Sequence, residues 1–108
     1  VHANYDVCMI SYLLQNKEKT EYEHITKVLE GQTASGYIVN DRFYDKLIDL
    51  YTWAIPKLES TKEHWNYAND QCWKKIQPSS DWYCLTKRCG KQRDGFSDNS
   101  NCYQKYDC

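Results

Sequence analysis

Six cysteines, three histidines and two Glu-His doublets are the residues of this 108-residue chain whose chemistry could decide what it does. The cysteines stand at Cys8, Cys72, Cys84, Cys89, Cys102 and Cys108. An even set in a short chain reads as a disulfide framework, whose pairing spacing alone does not assign. Metal is the competing chemistry. Zinc sites use close pairs such as Cys-x2-Cys or His-x3-His, but the tightest pair here is Cys84 and Cys89, and His2, His24 and His64 lie far from it and from one another. All six cysteines are therefore expected in disulfides, with no metal and no cofactor. Hydrolytic signatures are missing too: the chain has no His-Glu-x-x-His, no Gly-x-Ser-x-Gly, no phosphate loop and no His-Asp string of the secreted-phospholipase kind. In Glu23-His24 and Glu63-His64 the partners are adjacent, so on a helix they diverge by about 100° and cannot act as base and orienter. No enzyme is expected.

The elements that would position these residues read as helical. Val7, Ile10 and Leu14 recur at three and four, with Cys8 and Tyr12 beside them, predicting a first helix near 3–15. Thr20 and Glu23 form a capping box ahead of Tyr22, Ile25, Val28 and Leu29, ended by Gly31. After a loop of small residues over 31–36, Asn40 or Asp41 caps a third helix that turns Phe43, Leu47, Leu50, Tyr51 and Ala54 inward and stops before Pro56. Ser60 and Glu63 open a fourth helix through Trp65, Ala68, Cys72, Trp73 and Ile76, broken by Pro78. A short fifth starts at Ser79 or Ser80, runs through Trp82 and Leu85, and ends before Gly90. From Lys91 to Asn101 no apolar period remains, and that stretch reads as an exposed loop or irregular tail. The expected fold is an all-α, disulfide-bonded single domain over 1–108, with Cys8 stapling the first helix to the C-terminal third and Cys108 tying down the terminus.

Composition narrows the class. Fourteen basic against 15 acidic residues leave a net charge of −1, so no global field points to nucleic acid or a membrane. Hydrophobic residues at 41% and aromatics at 15% are too many for a disordered segment. No apolar run reaches the ~20 residues of a membrane span, and only 4 Gly and 2 Pro favour helices over a turn-rich sandwich. The chain begins with Val1 and no apolar leader, which reads as a secreted protein after signal removal, and no Asn-x-Ser/Thr acceptor occurs.

Binding is then the chemistry left. Four Trp, 10 Tyr and 2 Phe exceed what apolar stripes need. Phe43, Tyr51, Trp65 and Trp73 fall on such stripes and read as core, whereas the surplus tyrosines suit either a half-buried filler role or a protein-binding surface. Basic residues gather late in the chain, where Lys87, Arg88, Lys91 and Arg93 stand near Trp82, Tyr83 and Phe96. Arg with aromatics is a common interface anchor, so these seven residues are the expected partner-binding set, against the alternative of a solvated helix face and loop.

The Tyr5-Asp6-Val7-Cys8 segment opening a helix, the two capping boxes, the length and the cysteine-rich C-terminal third resemble the anophensin/albicin family of anopheline mosquito salivary proteins. Odorant-binding and short D7-type proteins fit less well, because their Cys-x3-Cys about 26 residues after the first cysteine has no counterpart between Cys8 and Cys72. The family resemblance implies a secreted salivary monomer that inhibits host plasma defence by protein binding, with the alternative-pathway complement convertase as the first target. A contact-system (kallikrein/kinin) anticoagulant and a D7-like carrier of small amphipathic ligands such as biogenic amines are the alternatives.

Overall fold

Short apolar runs bounded by turn-forming residues build strands here, not helix turns. Val7-Cys8-Met9 sits between Asp6 and Ser11, Tyr37-Ile38-Val39 between Gly36 and Asn40, and Trp82-Tyr83-Cys84-Leu85 between Asp81 and Thr86. The computed structural model describes residues 4–90, together with the backbone of two short strands at 95–97 and 102–104. The chain runs β1 (Val7–Met9), β2 (Leu13–Lys19), β3 (Ile25–Gln32), β4 (Tyr37–Val39), a 3-10 turn (Asp41–Phe43), α1 (Tyr44–Thr61), α2 (His64–Tyr67), α3 (Asn69–Cys72), a second 3-10 turn (Trp73–Lys75), β5 (Trp82–Leu85), β6 (Gly95–Ser97) and β7 (Cys102–Gln104). The first five strands form one mixed sheet in the order β2-β3-β5-β1-β4, in which only β1 and β5 run parallel. Strands β6 and β7 pair as a separate antiparallel ribbon.

The all-α expectation is thus overturned: the fold is α/β, and four of the five expected helices are replaced or broken. The first becomes β1 and β2, the second β3, and the fifth β5. Val7 and Met9 are 0% exposed and Cys8 is 2% exposed, so β1 is covered on both faces, as a central strand of a mixed sheet requires. The Thr20 hydroxyl does cap, but caps a hairpin: it accepts from Tyr22 N at 3.1 Å and donates to Ile25 O at 2.7 Å, closing the β2–β3 turn. The expected fourth helix is interrupted at Lys62, which adopts a left-handed φ of 59°, and at Ala68, which is extended. The third helix forms but does not stop at Pro56. It continues to Thr61, because the proline only removes a hydrogen bond to the solvent-facing turn around Thr52. Within the expected irregular tail, Gly95–Ser97 forms β6.

One face of the sheet meets the helical layer. Val7, Met9, Val28, Trp82 and Cys84 from the strands pack with Phe43, Leu47 and Trp73. Four aromatic rings meet edge-on in a chain: Tyr37 to Trp73 (5.3 Å), Trp73 to Trp82 (4.9 Å) and Trp82 to Phe43 (6.0 Å). Each such contact is worth ~0.5–1.5 kcal/mol beyond area burial.

Two polar clamps register the layers. Fully buried Gln77 accepts from Gly31 N at 2.9 Å and donates to Gly31 O at 3.0 Å, and Trp73 Nε1 donates to the same carbonyl at 2.8 Å. Gly31 is closely approached: a Cβ there would meet Leu14 Cδ2 at 2.8 Å and Val28 Cγ1 at 3.1 Å, so both side chains would have to shift to admit it. Asp6 forms the second clamp. Its carboxylate accepts from Asp81 N and from Arg42 Nε, both at 2.8 Å, while its backbone bonds Asp81 O and Asn40 N. Replacing Gln77 by Leu keeps the volume and strands the Gly31 N–H in the core, which costs ~1–3 kcal/mol. Urea unfolding of the variant is expected to show a lower midpoint at unchanged slope, and an unchanged midpoint would remove the clamp from the stability argument.

Candidate functional site

Helix α1 buries a single line of side chains and leaves apolar rows on both sides of it. Leu47 and Ala54 are buried, and Leu50, Tyr51 and Leu58 are half-buried beside them. At about 100° per residue, Tyr44, Ile48 and Ile55 fall within about 40° of one another on one flank, and all three are more than half exposed. On the other flank stand Trp53 and, one turn later, Lys57. Lys62 turns the chain so that α2 returns beside α1. There Tyr67 meets Trp53 edge-on at 5.6 Å, and Trp65, 60% exposed, meets His64 edge-on at 5.2 Å. Lys57 Nζ lies 5.3 Å and Lys75 Nζ 5.0 Å from the centre of the Trp53 ring. Lys74 faces elsewhere, donating to Gln32 Oε1 at 3.0 Å and pairing with Glu30 at 3.8 Å.

A half-open pocket of about 610 Å³ lies at the far end of the β2–β3 hairpin. It is lined by Glu18, Lys19, Thr20, Glu21, Tyr22 and Ile25 on the hairpin side and by Asn4, Asp81 and Tyr83 opposite, with Lys27 between. Strand register places Glu18, Lys27 and Tyr83 side by side across three strands. Lys27 Nζ donates to Ser80 O at 2.7 Å, approaches Asp81 at 4.0 Å and sits 5.1 Å above the Tyr83 ring. Burial and the charges of Asp81 and Asp6 push the Tyr83 hydroxyl pKa up.

The expected partner-binding set does not converge. Trp82 is fully buried in the aromatic chain and offers no surface. Tyr83 is half-buried under Lys27 on the opposite sheet face from the helices. Lys87 is exposed, whereas Arg88 is half-buried with Nη1 donating to Tyr12 O at 3.4 Å. Lys91, Arg93 and the Phe96 side chain lie outside the described residues. The residues that the sequence reading assigned to the core or passed over, Trp65, Trp53, Ile48 and Ile55, are the exposed ones. A usable signal was present: Tyr44, Ile48 and Ile55 repeat at four and seven, beside rather than on the stripe of Leu47 and Ala54. In the second Glu-His doublet the partners separate in role, since His64 meets Trp65 edge-on while Glu63 accepts from Asn66 at 2.8 Å.

The disulfide framework is corrected as well. Cys8, Cys72, Cys84 and Cys89 are free thiols, the first three buried and Cys89 exposed; Cys108 and the Cys102 side chain lie outside the described residues. Register explains the separation. Cys84 stands opposite Met9 on the helical side of the sheet, Cys8 opposite Tyr83 on the other side, and Cys72 at the end of α3. Hydrogen bonds and packing, not cross-links, hold the described elements together. Among the described residues no cluster of His, Cys, Asp or Glu could hold a metal ion.

Compared with known proteins, the chain matches no family model, no curated protein and no solved structure. What the fold defines is an α/β protein with a mixed five-stranded sheet, helices on one face and an aromatic outer helical surface.

Burial raises the pKa of all three interior thiols, that of Cys84 to about 11 from the ordinary 9.0. Burial likewise pushes the Tyr12 hydroxyl up to about 12; it donates to Leu85 O at 2.6 Å. Above pH 9 the unfolded chain therefore loses protons that the folded chain keeps, and stability falls with rising pH. The melting temperature is expected to hold to about the unfolded thiol's pKa and then to drop as pH climbs through the folded value near 11. Cys84→Ala should flatten that drop, and an equally steep fall in the variant would assign it to other groups.

Proposed function

We propose that this protein acts by binding another protein through the outer surface of α1 and α2, without chemistry of its own. One observation carries the reading. Of the eight large apolar side chains exposed among the described residues, Tyr44, Ile48, Trp53, Ile55 and Trp65 all belong to these two helices. Exposed apolar side chains gathered on one element mark interaction surfaces, and Trp and Tyr supply the largest contact for the least loss of side-chain freedom. The sheet behind the helices is clamped at Gly31 and Asp6, so docking orders little new structure.

The role we assign is that of a secreted inhibitor of host plasma defence, with the alternative-pathway complement convertase as first target and the contact system as second. This choice of target comes from the salivary resemblance alone, and the sheet removes the helical fold that the resemblance implied. A carrier of small amines is the second reading, favoured by the pocket in which Glu18, Glu21 and Asp81 accompany Tyr22 and Tyr83. It ranks lower because Lys27 already occupies the Tyr83 face that an amine would use.

Two assays on the purified protein decide: alternative-pathway haemolysis of rabbit erythrocytes and contact-phase clotting time. Inhibition of haemolysis supports the convertase and prolonged clotting supports the contact system, whereas silence in both rejects a plasma target. In a positive assay, Ile48→Ser with Trp65→Ser should raise the half-inhibitory concentration about thirtyfold, the worth of a ~2 kcal/mol hot spot. An unchanged concentration would place the interface elsewhere. Calorimetric titration with serotonin and histamine tests the carrier, and micromolar binding would favour it.

A further inference from the structure

We infer that Trp53, Tyr67, Lys57 and Lys75 form a subsite for an acidic segment of a partner protein, one that presents a carboxylate next to an aromatic or apolar side chain. This rests on the protein-binding reading above and names the partner's chemistry at one flank of that surface. The two ammonium groups lie 5.3 and 5.0 Å from the same indole ring, and neither has a carboxylate partner among the described residues. Lys27, Arg42 and Lys74 pair with Asp81, Asp6 and Glu30, and among the described lysines outside ion pairs Lys57 and Lys75 are the two that approach a tryptophan ring. Both ammonium groups bring positive charge to the same ring, and an incoming carboxylate is attracted by the pair and gains a charge-assisted hydrogen bond from the one it reaches.

The rings decide what kind of anion fits. Trp53 is 41% exposed and Tyr67 meets it edge-on, so an aromatic platform stays accessible beside the two ammonium groups that approach the ring. A bare phosphate leaves that platform unused, whereas an acidic residue with an apolar neighbour covers the ring and reaches an ammonium at once. Long polyanions are disfavoured, since Asp49 lies one turn before Trp53 on the same flank of α1 and the whole chain carries a net charge of −1. The two lysines come from different elements, Lys57 from α1 and Lys75 from the second 3-10 turn, so the spacing depends on the packing of the helical layer.

The probe is a random copolymer of glutamate and tyrosine, titrated into the full chain with tryptophan fluorescence and calorimetry as readouts. Expected are saturable binding that weakens with salt and a loss of about tenfold in the Lys57→Gln, Lys75→Gln double variant, whose circular dichroism and melting temperature stay those of the parent chain. Trp53→Leu should lose affinity without changing the salt dependence, because it removes the platform and keeps both charges. Absence of binding, or equal binding by the double variant, overturns the subsite. Tighter binding to heparin or to phosphatidylserine vesicles than to the copolymer also overturns it, in favour of a polyanion or a membrane surface. The Ile48→Ser, Trp65→Ser variant separates the two readings. Copolymer binding that survives in it while plasma inhibition is lost supports the subsite, and plasma inhibition that persists without any copolymer binding sinks the subsite alone.

Discussion

The backbone of one glycine holds the two layers of this protein together. Gly31 lies one residue before the end of the long strand β3, buried in the core, and its N–H and C=O both point at side chains from the segment after α3. A peptide group buried without partners would cost ~1–3 kcal/mol for each unmet atom, and here Gln77 and Trp73 meet both. The geometry is restrictive. Any Cβ at position 31 would press on Leu14 and Val28, and a shorter amide at 77 would not reach, so the approach of the helical layer to the sheet is fixed at this point. Trp73, held by its indole N–H, then begins the edge-on chain that runs through Trp82 to Phe43. Position and packing are thereby coupled: the hydrogen bond orients the ring, and the ring closes the core.

Asp6 does for the end of the sheet what Gly31 does for its middle. Its carboxylate and backbone together engage Asp81 at the start of β5, Asn40 after β4 and Arg42 in the following turn. Three strands that are distant in sequence are brought into register by one residue immediately before β1. That arrangement lets β1 be only three residues long and still lie between β5 and β4, because its entry is fixed on both sides. The Arg42 guanidinium is partly exposed, so its ion pair adds modestly to stability; the backbone contacts of Asp6 matter more.

Some of this was legible in the sequence and some was not, for reasons that differ by element. Helix α1 and its inward Leu47 and Ala54 are readable, because eighteen residues give a 3.6-residue period time to declare itself, and Asn40 does cap, but at the 3-10 turn that carries Phe43 ahead of the helix. Strand β1 is ambiguous in sequence because Val7, Ile10 and Leu14 satisfy helical spacing while the contiguous run Val7-Cys8-Met9 satisfies a buried strand, and so short a run cannot separate the two. Strand β2 carried no signal at all. Leu13-Leu14-Gln15-Asn16-Lys17-Glu18-Lys19 favours a helix by propensity, and only pairing with β3 makes it extended. Thr20 shows how a correct local reading can mislead: its hydroxyl caps backbone donors as expected, in a turn that joins strands. The exposed site was hidden for a subtler reason. Trp82 and Trp65 are the same residue type with opposite fates, and burial of the first depends on β5 lying between β1 and β3, a non-local fact.

The same topology explains why the helical surface, not the sheet, is left to meet a partner. An exposed strand edge is the usual invitation to another chain. Here one edge is β2, whose Lys17, Glu18 and Lys19 are exposed and whose pairing with β3 shifts register around Asn16, so an added strand would find charge and an interrupted ladder. At the other edge, β4 lasts three residues before Asn40 turns the chain into the first 3-10 turn. Across the outer sheet face, Lys27 is already committed to Ser80 and the Tyr83 ring. Beyond the scattered Leu13, Tyr22 and Ile38, the exposed large apolar side chains among the described residues lie on the outside of α1 and α2. A helix of eighteen residues pinned to the core mainly along Leu47 and Ala54 cannot turn both flanks inward, and among its polar residues those flanks carry Tyr44, Ile48 and Ile55 on one side and Trp53 with Lys57 on the other. With the edges blunted and the sheet face self-satisfied, the free energy still to be gained by burying apolar surface is concentrated on that helical pair.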